Sequence, residues 1–209
     1  CCMPQLGGRR GLWAIGKSSP TFSTRKAAQA CGPPDGNARG WLAANAGREA
    51  AALPPGKTLA VVAPGNLPPP GKRGAVLRQA TLKALETLSR NPRGFFLMVE
   101  GSNIDKAAHH GKLAEMMEEI FDFDRTAGTV LEWAARHPGT LVVITADHNT
   151  GAFSLSGGNL EKGEITALFS SGNHDGVAVP VYAFGSGSGA FTGIYENTDI
   201  FRKIMAAMK

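Results

Sequence analysis

Cysteine is scarce in this chain. Three residues, at positions 1, 2 and 31, stand without a C-x-x-C pair, which argues against a disulfide framework and against a thiolate metal site. Long apolar runs are missing as well: none approaches the ~18 residues that a bilayer span needs, so no membrane span is expected. The first residues hold no signal-peptide core longer than Leu12-Trp13-Ala14-Ile15, and the chain as given shows no signal peptide or other address. It begins with cysteine rather than methionine, as a processed chain or a fragment would. No G-x-S-x-G elbow occurs, which removes the simplest serine-hydrolase reading. The run Gly185-Ser186-Gly187-Ser188-Gly189 lacks the G-x-G-x-x-G spacing and no helix starts directly behind it, so it reads as a flexible connection rather than a phosphate cradle.

Acidic residues are scarce in one stretch only. Residues 1 to 73 hold ten Lys/Arg against Asp35 and Glu49, whereas residues 74 to 209 hold twelve against fifteen. Ten of the thirteen prolines also fall in residues 1 to 73, including Pro54-Pro55 and Pro68-Pro69-Pro70. Basic residues scattered among Gly and Pro, with no aromatic ladder and no helix to enter a groove, describe a solvated segment, poorly ordered or peripheral, rather than a nucleic-acid partner surface. Only Thr58-Leu59-Ala60-Val61-Val62 looks like a strand there. Two domains are therefore expected, a basic Pro/Gly-rich segment 1–73 and an α/β region 74–209.

What the second region does have is a regular alternation. Val76, Leu77, Ala80, Ala84, Leu85 and Leu88 recur at helical spacing up to a stop before Asn91-Pro92. Phe95 to Val99 reads as a strand buried on both faces. Met116, Ile120, Phe123, Ala127, Val130, Leu131 and Ala134 trace a long helix, and Leu141 to Thr145 is the next apolar strand. A helix between two continuous apolar runs is the signature of a right-handed βαβ crossover in a mostly parallel sheet. Ile165 to Phe169 and Val179 to Phe184 read as further strands. A last helix over residues 198 to 208 places Ile200, Phe201, Ile204, Met205 and Met208 inward, capped by Asn197 or Thr198.

Ligands of parallel α/β sheets bind where strands end, and three such ends carry metal-ligand residue types. Behind the first strand stands Glu100-x4-Asp105-x3-His109; one helical turn would bring Asp105 and His109 to the same face, where carboxylate and imidazole grip one cation. Taken alone, Asp105 reads rather as an N-cap and His109 as an exposed helical histidine. Asp147-His148 follow Thr145 and Ala146 directly, and His174 sits in Ser171-Gly172-Asn173-His174-Asp175-Gly176. Any single histidine of these is ordinarily a loop residue without a partner. All five histidines, however, fall between residues 109 and 174, and only His110, pointing off the helix face, and His137, at a helix C-terminus, have simpler uses. The pattern supports an oxygen-and-nitrogen site for more than one cation, with metal-assisted hydrolysis as its chemistry.

At these residues the chain resembles the alkaline phosphatase family. VEGSNIDKAAHH, TADHNTG, SGNHDG followed by VPVYAFG, and GIYENTDIF appear in the family's order and approximate spacing from about residue 75 onward. LPPGKTLAVVAPGNLP, between about 40 and 74, resembles a family segment more loosely, and LGGRRGLW is the sole likeness before it. The resemblance implies an α/β three-layer sandwich, a mostly parallel central sheet with helices on both faces, present here in part. It implies a phosphate-monoester hydrolase with two zinc ions and one magnesium. Carried over by position, Asp105, His109 and His174 would bind the first zinc, Asp147 and His148 the second, and Glu100 the magnesium, while Lys106 matches a position that contacts phosphate through water in some bacterial members. A phosphate monoester is the implied substrate, a homodimer the common assembly, and the periplasm or cell exterior the common location.

Two residues depart from the family pattern: Asp175 stands where threonine commonly follows the last histidine ligand, and Asn149 where glutamate is frequent. The family's upstream aspartate shared by zinc and magnesium, its Asp-Ser-Ala nucleophile motif and its phosphate-clamping arginine are not found. Ser18, Ser19 and Ser23 have no preceding aspartate, so no catalytic nucleophile is identified. The chain is therefore expected to be a C-terminal part of such an enzyme behind a divergent N-terminal segment, holding one zinc tightly and a second weakly. Strands lacking their neighbours would leave open edges and favour self-association. A phosphodiesterase of the same superfamily and a non-catalytic metal-binding remnant stay open as alternatives.

Overall fold

The computed structural model describes residues 67–208, together with the backbone pairing of three short strands before them. The rest of the segment 1–73, including Ser18, Ser19, Ser23 and the expectation of a peripheral segment, lies outside the described residues. Two compact units divide at Glu100/Gly101, a different place from the composition change at 73/74.

In the first unit, strand β1 (Leu12–Ile15) pairs in parallel with β4 (Phe96–Val99), and β2 (Leu42–Ala44) pairs in parallel with β3 (Thr58–Ala60). Helix α1 (Pro70–Arg73) is one turn long. Helix α2 (Val76–Leu88) has the bounds its periodicity predicts and buries Leu77, Thr81, Ala84, Leu85 and Leu88 along one face. Thr81 is tolerated there because its hydroxyl donates to the Leu77 carbonyl at 2.8 Å. The turn to β4 is closed by Asn91, whose Nδ2 donates to the Gly94 carbonyl.

The second unit holds helices α3 (Ser102–His109), α4 (Leu113–Ala135) and α5 (Asn197–Ala207) and three antiparallel ladders. Strand β5 (Leu141–Thr145) pairs with β10 (Val181–Gly185), β6 (Asn149–Thr150) with β9 (His174–Asp175), and β7 (Phe153–Asn159) with β8 (Glu164–Phe169). Of the crossover expected from β4 to β5, the strand β4 belongs to the first unit and the helix α4 and strand β5 to the second. β7 escaped the sequence reading because FSLSGGN is poor in strand formers, and a bulge between Leu155 and Gly157 breaks its alternation.

Gly111, with φ +61°, ends α3 in the left-handed conformation that a helix stop needs, and its N–H donates to the Ala108 carbonyl. Ala107, Ala108 and Met116 form the buried cluster beneath α3, with Ile104, Leu113, Ile120, Phe153 and Phe169 packed around it. This apolar seat joins α3 to α4 and to the β7–β8 hairpin. The buried face of α4 differs from the expected one: Met116, Glu119, Asp122, Thr126 and Ala134 are its buried residues, partly because Glu119 accepts a bond from Asn103 of α3 at 3.3 Å. Two corrections concern α5, whose cap is Glu196 and whose Phe201 is 58% exposed rather than inward. The glycine-serine run after β10 is not a flexible connection but a turn that passes into a short 3-10 helix over Ser188–Phe191, with Ala190 N–H donating to the Gly187 carbonyl.

Met116→Ala is expected to cost about 2–5 kcal/mol of unfolding free energy, the range for truncating a buried methionine, measured by urea denaturation. An unchanged midpoint would show that α3 does not depend on this cluster.

Candidate metal centre

Asp105 lies in the first turn of α3 but is not its cap, which is Gly101. The N-cap reading of Asp105 is thereby replaced by the other one: it and His109 stand one turn apart on the same face. His109 Nε2 lies 3.4 Å from Asp105 Oδ2. His174, from β9, brings its Nε2 to 3.4 Å from Asp105 Oδ1 and to 3.0 Å from His109 Nε2. The three side chains offer ligand atoms all within 4.8 Å of one another, from segments 65 residues apart in the chain.

Hydrogen bonds around this triad set which ring nitrogen is free. His109 Nδ1–H donates to the Gly172 carbonyl at 2.7 Å, leaving the Nε2 lone pair to face Asp105 and His174. Thr150 Oγ1–H donates to Asp105 Oδ1 at 2.6 Å and in turn accepts from His148 Nδ1–H at 3.1 Å. His148 Nε2 is then free too, and it lies 3.3 Å from Oδ2 of Asp147, a residue whose side chain is 86% exposed. The rings of His148 and His174 stack at 3.6 Å. Thus the Asp147–His148 pair abuts the triad, with Thr150 bridging the two.

The backbone permits this approach at Gly151. Its φ is +81°, and a Cβ there would come within 3.0 Å of the Ala108 carbonyl oxygen in α3, so only glycine lets the strand turn against the helix that carries Asp105 and His109. Gly151 N–H donates to the Asn173 carbonyl, and Ser171 N–H to that of Gly151. The TADHNTG and SGNHDG stretches are laced together main chain to main chain.

Lys106 is steadied beside the triad's helix face, its Nζ donating to Asn103 Oδ1 at 2.8 Å while Asn103 Nδ2 donates to Glu119. Glu100 is exposed and closes the first unit, whereas the triad belongs to the second. His110 is exposed at the end of α3, and His137 stacks on Trp133 and bonds its carbonyl past the end of α4. The sequence reading missed Thr150 and the Gly172 carbonyl, for which residue type gives little signal, since any threonine or carbonyl looks alike until a partner is placed. Asp175 is clasped by several donors; the Val177 N–H foremost, then Asn149 and the Ala152 N–H, hold its carboxyl below the usual carboxylate range against the effect of burial.

One carboxylate and two imidazole nitrogens, that of His109 with its lone pair facing the others, fit a divalent cation that accepts mixed oxygen and nitrogen ligands, and leave room for a further ligand. No helix among the described residues is long and apolar enough to cross a membrane.

A family model described as alkaline phosphatase matches residues 63–168. Alkaline phosphatase 4 of Bacillus subtilis is 45% identical over 86 residues, which is 41% of this chain and 18% of that protein. Streptomycin-6-phosphate phosphatase of Streptomyces griseus is 35% identical over 156 residues, 63% of this chain and 35% of that protein. Escherichia coli alkaline phosphatase is 34% identical over 148 residues, 63% of this chain and 31% of its own. The chain therefore spans about a third or less of these relatives. Among solved structures, the alkaline phosphatase of the Antarctic bacterium TAB5 matches with a TM-score of 0.73 at 35% identity, over 80% of this chain and 52% of that one. The cold-active enzyme of a Shewanella species matches with a TM-score of 0.78 at 25% identity, over 93% and 65%. The expected α/β fold is thus present in part, and the chain belongs to the alkaline phosphatase family.

Proposed function

We propose that this chain provides the metal-ligand part of a metal-dependent phosphate-monoester hydrolase. The observation that carries the reading is the convergence of Asp105, His109 and His174 within 4.8 Å, in a chain whose relatives are named as phosphatases. In this reading Asp105, His109 and His174 hold one zinc, Asp147 and His148 contribute to a second, and Glu100 contributes to a magnesium. A TAB5 alkaline phosphatase variant has been solved with Mg bound, which supports the magnesium part. When bound, such cations supply Lewis acidity to a phosphoryl group and to its attacking and leaving oxygens.

The chain's own residues do the positioning. The Gly172 carbonyl holds the His109 ring by Nδ1, and the Thr150 hydroxyl holds both the Asp105 carboxylate and the His148 ring. His109, Asp105 and His148 thus enter with their orientation set before a cation arrives, which lowers the ordering cost of binding. Lys106, steadied by Asn103 and through it by Glu119, offers an ammonium to a phosphate oxygen, directly or through water. The nucleophile is not assigned to any residue of this chain. The division into a basic segment 1–73 and a partial α/β domain 74–209 belongs to the same proposal.

Two measurements check this. Zinc titration should find one tight and one weaker site, with the tight one lost in His174→Ala; equal affinities at both sites, or an unchanged titration in the variant, would contradict the assignment. In a chromogenic phosphate-monoester assay with zinc and magnesium at alkaline pH, turnover lost in His174→Ala would mean the chain holds a complete site. Zinc binding without turnover is the result expected of a chain that supplies the ligands alone. Thr150→Val, which keeps the shape and removes the hydroxyl, should weaken the tight site about tenfold, as loss of a ligand-orienting bond commonly does; unaltered affinity would remove Thr150 from the account.

A further inference from the structure

Asp175 adjoins a ligand-type residue yet faces away from the triad. In the β6–β9 ladder Thr150 lies opposite His174, and Asn149 opposite Asp175. Because side chains alternate along a strand, Thr150 and His174 share the face that meets Asp105, and Asn149 and Asp175 share the other. On that second face the Asp175 carboxylate accepts from Asn149 Nδ2 at 3.1 Å and 3.0 Å, from the Ala152 N–H at 3.0 Å and from the Val177 N–H at 3.1 Å. Ala152 has φ +44°, a left-handed conformation that a residue with a Cβ adopts at a cost. Its N–H is one of those the carboxylate holds.

The ladder has two residues per strand, flanked by the main-chain bonds of Gly151 to Asn173 and of Ser171 to Gly151, and pairing this short is marginal by itself. Something must hold it, since a slip of one residue would turn His174 to the wrong face. Asp175 ties its own strand to β6 through Asn149, to the turn after β6 through Ala152, and to the chain leaving β9 through Val177. His148, just before β6, stacks on His174 of β9 at 3.6 Å, so whatever fixes the two strands fixes these two rings.

We propose that Asp175 is a positioning residue, whose clasp of Asn149 and of the Ala152 and Val177 N–H groups locks β6 against β9 and so sets the spacing of His148 from His174. The inference rests on the reading of these histidines as metal ligands. It gives the aspartate and the asparagine a common role: one short cross-strand bond on the far face maintains the geometry of the two cation sites on the near face. Neither residue touches the cation.

The test compares the full chain with four variants: Asp175→Ala, Asn149→Ala, Asn149→Asp, and the exchanged pair Asn149→Asp/Asp175→Asn. Zinc affinity is read by competition with a chromophoric chelator, cation geometry by the visible spectrum of the cobalt(II)-loaded chain, and stability by thermal unfolding of the metal-free chain. Asp175→Ala should weaken zinc binding about tenfold or more. Asn149→Ala should weaken it by less, because both backbone bonds remain. Asn149→Asp sets two carboxylates face to face and should weaken it as much as Asp175→Ala, while the exchanged pair should regain most of that loss. The cobalt bands of both alanine variants should shift even at saturation.

A lowered unfolding midpoint with parental zinc affinity and unshifted cobalt bands would reduce Asp175 to a fold staple and overturn the proposal. Were Asp175→Ala not to fold, as judged by far-ultraviolet circular dichroism, Asn149→Ala and the exchanged pair make the same comparison. A parent chain that binds no zinc would overturn the metal reading itself. A parent that binds zinc no better than any variant would overturn only the clasp.

Discussion

Two imidazole nitrogens 3.0 Å apart, each 3.4 Å from an oxygen of the same carboxylate, are the convergence on which the rest of the site depends. The Gly172 carbonyl accepts a hydrogen bond from the His109 Nδ1–H, so the Nε2 lone pair points into the space between the rings, where a donated proton or a cation satisfies it. The local structure serves this convergence. Glycine at 151 lets β6 turn against α3, main-chain bonds lace the two loops together, and Thr150 ties the Asp105 carboxylate to the His148 ring.

Beneath the polar groups lies the apolar seat of Ala107, Ala108 and Met116, with Phe153 and Phe169 against it. Small residues on the buried side of α3 let the helix sit low on α4 and on the β7–β8 hairpin, while Asp105 and His109 occupy its other side. Packing thus decides the placement of half the triad, and the short β6–β9 ladder decides the other half. Because that ladder is short, its register depends on polar bonds beyond its own, among them the main-chain bonds at Gly151 and the clasp of Asn149 and the Ala152 and Val177 N–H groups by Asp175. The two positions at which the sequence departs from common family residues are therefore cross-strand partners, so the two departures act together.

Much of this was legible in the sequence. The period of Val76 to Leu88 and the apolar run Leu141 to Thr145 match the observed bounds, and the likeness carried by VEGSNIDKAAHH, TADHNTG and SGNHDG gave the family that the comparisons show. Spacing alone put Asp105 and His109 on one helical face, and His174 joined them only as the family likeness implied. What was hidden depends on long-range placement. A bulged, glycine-bearing strand such as β7 has no clean period, an amphipathic stripe does not reveal that Glu119 and Asp122 are buried, and the apolar Phe201 is exposed despite its inward phase. Thr150 and Asp175 acquire meaning only through partners 45 and 26 residues away.

The measurement that bears most directly on this account is anomalous X-ray diffraction at the zinc edge from crystals of the chain grown with zinc. The account predicts a strong peak bonded to Asp105 and to the Nε2 atoms of His109 and His174, and a weaker one near Asp147 and His148. A chain whose zinc lies elsewhere, with Asp105, His109 and His174 bonded only to one another, would contradict it.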